Sequence, residues 1–118
     1  MYGVPKNLNL SPFLGRTLIQ LGIGEFQVQF VFHPEGNISV EGDWELRDAD
    51  GSLVDRSISN DKRPEYRLHR LLGHEVARWE IEPPTSLSLS FTNGCVLRIF
   101  DNSKQYESFS IQPGNIYV

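Results

Sequence analysis

Leu68-His69-Arg70-Leu71-Leu72-Gly73-His74-Glu75-Val76 carries the same pattern as Leu10-Ser11-Pro12-Phe13-Leu14-Gly15-Arg16-Thr17-Leu18, with apolar residues and glycine at a constant offset of 58. The correspondence runs on through Ala77, Trp79 and Ile81, which stand opposite Ile19, Leu21 and Ile23. One residue is added near Pro83-Pro84 and the offset becomes 59, so that Leu87, Leu89 and Phe91 match Val28, Phe30 and Phe32. Leu97 and Ile99 then match Ile38 and Val40. Apolar residues at alternate positions mark strands with one buried face. The chain thus reads as an internal repeat, residues 10–58 and 68–111, of one supersecondary unit whose apolar face must be covered by its copy.

Working outward, Leu10 to Leu14 reads as a helical turn capped by Ser11, with Pro12 at the first position and Gly15 as its end. Residues 1–9 are polar and carry Pro5, which suggests a loosely held arm. Strands are expected over Thr17 to Ile23 and Phe26 to Phe32, the latter alternating Phe26, Val28, Phe30 and Phe32 with glutamines. Ile38 to Arg47 reads as one long strand with a bulge at Gly42. Asp48-Ala49-Asp50-Gly51 is a hairpin turn, and Ser52 to Ile58 the returning strand. After a polar connection, a helix is predicted over about residues 65–72, stopped by Gly73. Strands follow over Glu75 to Glu82, Ser86 to Phe91, Cys95 to Phe100 and Gln105 to Ile111, with Ile116-Tyr117-Val118 as an added edge. The predicted fold is mainly β, on the border of α+β. It is a duplicated antiparallel meander of about four strands per copy, forming a sandwich or small barrel with two short helices, in a single domain over 1–118.

Composition narrows the function classes. The 118 residues are 39% hydrophobic and 22% charged, which suits one globular core. A net charge of -4 argues against general binding to nucleic acid or an anionic membrane, where Lys and Arg must neutralise phosphates. The single cysteine, Cys95, excludes an intrachain disulfide. The start lacks a basic region followed by an apolar run, and no stretch has the apolar length of a spanning helix, so a cytoplasmic protein is expected.

No motif names a reaction, and no cofactor is implied. Asp48 to Gly51 resembles part of a calcium loop, but Leu46 and Ser57 occupy positions where ligands are required. His33, His69 and His74 lack the spacing of a zinc site. Cys95 reads as a small apolar filler. Arg63, Arg67 and Arg70, at helical spacing, read as the solvent face of an amphipathic helix. Glu41, Asp43 and Glu45 are alternate residues, which on a regular strand share one face, beside Trp44. Tyr106 and Glu107 follow the polar turn Asp101 to Lys104. Ser86, Ser88 and Ser90 line the outer face of their strand; solvent exposure is expected of them, with a homodimer contact as the alternative.

Gly73-x-x-Val76, Ser86-Leu87-Ser88-Leu89-Ser90-Phe91 and Leu97-Arg98-Ile99-Phe100-Asp101 through Tyr106-Glu107-Ser108-Phe109, with Glu41 to Leu46 upstream, resemble a group of small bacterial domains of unassigned function. The resemblance covers most of the chain and implies a bacterial, standalone protein; it carries no catalytic residues. Small acidic β-rich bacterial domains include immunity proteins that block a toxin, an analogy of class alone. The leading expectation is therefore a non-enzymatic protein-binding or regulatory domain, immunity-protein-like. It would present Asp43, Trp44, Glu45, Tyr106 and Glu107 to a protein partner with a basic surface. The alternatives are a small-ligand carrier or enzyme with a cavity between the two β units, Asp101 and Glu107 turned inward, and a structural homodimer.

Overall fold

A computed structural model describes residue 4 and residues 8–24, 27–57, 66–83, 85–101, 109–112 and 116–117. In chain order they form a 3-10 helix η1 (Ser11–Phe13), strands β1 (Thr17–Ile23), β2 (Val28–His33), β3 (Asn37–Val40), β4 (Trp44–Arg47) and β5 (Leu53–Arg56), and a second 3-10 helix η2 (Leu68–Leu71). Strands β6 (Val76–Glu82), β7 (Ser86–Phe91), β8 (Val96–Phe100), β9 (Phe109–Gln112) and β10 (Ile116–Tyr117) follow. The first sheet has the order β1-β2-β3-β9-β10 and the second β5-β4-β8-β7-β6. Phe30 and Ile38 of the first, with Leu46, Leu89 and Leu97 of the second, are each 0% exposed and belong to one apolar cluster. The fold is thus a β-sandwich, mainly β as expected, with five described strands in each sheet. Each such side chain contributes about 1.5–3 kcal/mol by leaving water.

The registers of the two sheets correspond. Val28 pairs with Val40 and Phe30 with Ile38, just as Leu87 pairs with Ile99 and Leu89 with Leu97. Both opening strands bulge at the same place, between Leu18 and Gln20 and between Val76 and Arg78. A bulge adds one unpaired residue and shifts the alternation. Leu18 and Val76 are therefore buried, while the extra residues Ile19 (53% exposed) and Ala77 face outward. The inward phase resumes at Leu21, Trp79 and Ile81, which pack on the core. The simple alternation that assigned Ile19 and Ala77 to the apolar face is corrected on this point.

The two opening strands meet at their starts. Thr17 bridges Glu75. Gly15 N–H donates to the Val76 carbonyl (2.9 Å) and Gly73 N–H to the Leu18 carbonyl (2.8 Å). Val76 N–H donates to the Arg16 carbonyl (3.0 Å) and Leu18 N–H to the His74 carbonyl (3.1 Å). Gly15 and Gly73 end their helical turns at φ 80 and 83, where a Cβ would be strained.

Four further expectations change. Residues 38–47 are not one bulged strand. β3 lies in the first sheet and β4 in the second, and Glu41 to Asp43 carry the chain across at Gly42. Ser11 is not the cap of η1; the cap position is Leu10, which supplies no side-chain bond, and the Asn9 side-chain oxygen accepts from Ser11 N–H (3.0 Å). The arm before η1 is anchored, because Val4, Leu8 and Leu10 are buried in the core. η2 spans one turn, Leu68–Leu71, with both leucines 0% exposed, so Arg67 stands at its cap and no helical arginine stripe exists among the described residues.

Candidate functional site

The strand ends that face the crossover of residues 41–43 form an acidic rim on the second sheet. Phe100 N–H donates to the Asp43 carbonyl (3.0 Å), which sets Asp43 beside the end of β8. Asp101 N–H then donates to the Thr85 carbonyl (2.8 Å), and Thr85 N–H to the Glu82 carbonyl (2.8 Å). Adjacent strands lie about 4.8 Å apart. Asp43, Asp101 and Glu82 therefore lie along one end of the sheet, at the ends of β4, β8 and β6, with the start of β7 between the last two. Asp43 is exposed, Asp101 half-buried, and the Glu82 side chain 62% exposed. The Asp43 carboxylate accepts from the Ser57 hydroxyl (3.1 Å), whose oxygen in turn accepts from Trp44 N–H (3.2 Å), so β5 is stitched to the same rim.

The outer face behind this rim is a charged ladder. Arg98 of β8 pairs in register with Glu45 of β4 on one side and with Ser88 of β7 on the other, and Ser88 faces Glu80 of β6. The Arg98 guanidinium lies 3.9 Å from the Glu82 carboxylate. Glu45 accepts from the Arg47 guanidinium at 2.7 Å, which holds Arg47 above its ordinary range. The expected exposure of Ser86 and Ser88 is corrected: they are 3% and 6% exposed, because the longer side chains of the flanking strands arch over them. The furrow they line with Glu80, Glu82 and Arg98 has no room for a water molecule. β7 is an interior strand, and two of its serines lie beneath the side chains of its neighbours.

Of the residues expected at a binding surface, Asp43 and Glu45 lie at this rim and ladder. Trp44 does not: it is 4% exposed, its ring directed into the sandwich by the pairing of Trp44 with Ile99, so it offers no surface anchor. Glu41, Asp43 and Glu45 do not share a strand face, since the first two lie in the crossover and only Glu45 in β4. Tyr106 and Glu107 lie outside the described residues.

The remaining candidates separate. Cys95 is buried; burial pushes its thiol above the ordinary range and the nearby Asp48 charge adds to the rise, the opposite of an activated nucleophile. Asp50 is held below the usual carboxylate range by the Ser52 N–H (2.9 Å), as befits a turn residue. Arg70 lies 3.8 Å from Asp48, and its carbonyl accepts from the Asn93 amide (3.0 Å), so η2 braces two turns. Among the described residues no group of three His, Cys, Asp or Glu side chains could hold a metal. A shallow recess of about 460 Å³, lined by Ile19, Val31, Pro34 and Asn37, opens on the outer face of the first sheet.

Sequence reasoning missed Asp55. It is 8% exposed, and its two oxygens accept from Arg56 N–H (2.8 Å) and Arg67 N–H (2.7 Å), tying β5 to the start of η2. Its inward phase follows from pairing with Leu46 across a register shift. Flanked by Val54 and Arg56, it gives no signal of burial in the sequence.

No family model, curated protein or solved structure matches the chain. Among the described residues no helix is long and apolar enough to cross a membrane.

Proposed function

We propose that this chain is a non-enzymatic protein-binding domain, regulatory in the manner of an immunity protein, whose binding surface is the acidic rim and charged outer face of the second sheet. The observation that carries the reading is the placement of Asp43, Asp101 and Glu82 along one end of the second sheet, at the ends of β4, β8 and β6. A net charge of -4 adds a long-range attraction for a basic partner. Arg98, amid Glu45, Glu80 and Glu82, supplies a donor that fixes the partner's register on the ladder. The partner is a protein with a basic surface; nucleic acid and anionic lipid are disfavoured by the same charge. The offset registers support descent of the two halves from one duplicated unit, in which only the second sheet acquired a charged face. A cytoplasmic location and a bacterial source accompany this reading.

The test is a stoichiometric pull-down from the host at physiological salt. Wild type retains one partner, and the triple variant Asp43→Asn, Glu82→Gln, Asp101→Asn releases it by slower association and faster dissociation. A partner held equally by both proteins, or no partner at all, overturns the proposal.

A further inference from the structure

We infer that the chain pairs with a second copy of itself along the free edge of β1, antiparallel and centred on Gly22. This surface is distinct from the acidic rim and does not depend on that reading.

β1 is an outer strand of its sheet; among the described residues it pairs with β2 on one side and, at its start, bridges Glu75 on the other. Residues of an antiparallel strand turn their N–H and C=O alternately toward and away from the neighbour. Two anchors fix the phase here. Gly24 N–H donates to the Gln27 carbonyl (2.8 Å), so Gly24 faces β2. Leu18 faces the other way: its N–H donates to the His74 carbonyl (3.1 Å) and its C=O accepts from Gly73 N–H (2.8 Å). Through the bulge at Ile19, the alternation turns the backbone groups of Leu21 and Ile23 outward and those of Gln20 and Gly22 toward β2. The stretch 73–76 covers Leu18, and no hydrogen bond from the described residues reaches the outward groups of Leu21 and Ile23.

A two-fold at Gly22 sets Leu21 opposite the copy's Ile23 and Ile23 opposite the copy's Leu21, as hydrogen-bonded pairs that satisfy those groups. Gly22 meets its counterpart in the non-hydrogen-bonded position between them, where Cα atoms approach to about 4.5 Å and no side chain intervenes. Ile23, 46% exposed on the same face as the half-buried Leu21, is covered by the copy's Leu21.

The occupant is argued from charge. Thr17 to Gly24 holds no charged residue in a chain of net charge -4. β6, in the same place on the second sheet, carries Arg78, Glu80 and Glu82. Glu80, paired with Ser88, occupies the register position that Gly22, paired with Gln29, holds in β1. Self-pairing of β6 would set Glu80 against Glu80, a like-charge contact of the kind that keeps edges apart. β1 lacks that guard, and its centre is the one residue with nothing to clash.

Sedimentation velocity across a concentration series tests the inference. Wild type is expected as a dimer at high micromolar concentration. Gly22→Glu, which transfers the β6 guard to β1, is expected as a monomer with an unchanged circular dichroism spectrum and a thermal midpoint that no longer rises with concentration. Its added Cβ meets only Gln29 atoms at 3.5 Å and 3.6 Å, ordinary contact. Gly22→Cys, with buried Cys95 left in place, should oxidise to a covalent dimer, whereas Gln20→Cys should not, since the two-fold moves that position away from its mate. A monomeric wild type overturns the proposal, as does a Gly22→Glu dimer, a Gly22→Cys chain that stays uncrosslinked, or open-ended polymers in place of a dimer.

Discussion

The first sheet turns Gln20, Gly22, Gln29, Asn37 and Ser39 to its outer face, and the second turns Arg78, Glu80, Glu82, Glu45 and Arg98 to the corresponding one. Their inner faces are nearly interchangeable: Phe30 and Leu89, or Ile38 and Leu97, hold the same register positions and are each 0% exposed. Burial constrains the inside to apolar residues of fitting volume, whereas an outer residue needs only to stay solvated. The two outer faces can therefore differ without disturbing the fold: one sheet carries charge, and with it a candidate recognition surface, and the other has an uncharged outer strand.

The equivalence of the inner faces can be broken most forcefully at the centre. Phe30→Ala is expected to cost about 3–5 kcal/mol, and Leu89→Ala about 2–5 kcal/mol, in urea unfolding. Both should lower the midpoint of a single shared transition, because the two side chains belong to one core. Two separate transitions would mean that the sheets fold independently.

A smaller effect distinguishes the turns. Gly94 has φ 90, and a Cβ there would lie 2.7 Å from the Ala49 Cβ, whereas Gly73 at φ 83 has open space. Gly73→Ala should cost about 1–2 kcal/mol from the left-handed backbone alone, and Gly94→Ala more, by thermal denaturation. Adding Ala49→Gly should recover the excess of Gly94→Ala and leave the backbone cost. No recovery would show that the two turns do not press on each other.

The least effect concerns Cys95. Its folded pKa lies above that of the unfolded thiol, so the unfolded chain loses the proton first. Stability should be flat with pH below the ordinary thiol value of 9.0 and fall modestly as pH rises past it. Cys95→Ala should remove that fall. Thiol-reagent labelling of the native protein should be slow and should track unfolding; fast labelling of the folded chain would contradict the burial.

Much of the fold was legible from alternation alone. Strand β1 fell within its expected bounds, β7 likewise, and the hairpin at Asp48 to Gly51 formed between β4 and β5. The bulges were not legible, because an extra residue such as Ile19 or Ala77 is apolar and fits a strand pattern in either phase. Of the candidate site, Asp43 and Glu45 were readable as surface acids. Asp101 and Glu82 were not readable as their companions, since strand order, not sequence spacing, makes them neighbours.

By itself, the sequence determined which residues form strands and which side of most strands is apolar, since period-two patterning is a local property of the chain. It could not determine that β4 leaves the first sheet to pair with β8 while β9 pairs with β3. Nor could it assign Trp44 to the core or place β1 at the outside of its sheet. Those outcomes depend on which strands exchange hydrogen bonds across long separations, and the backbone groups that make such bonds are the same in every residue but proline.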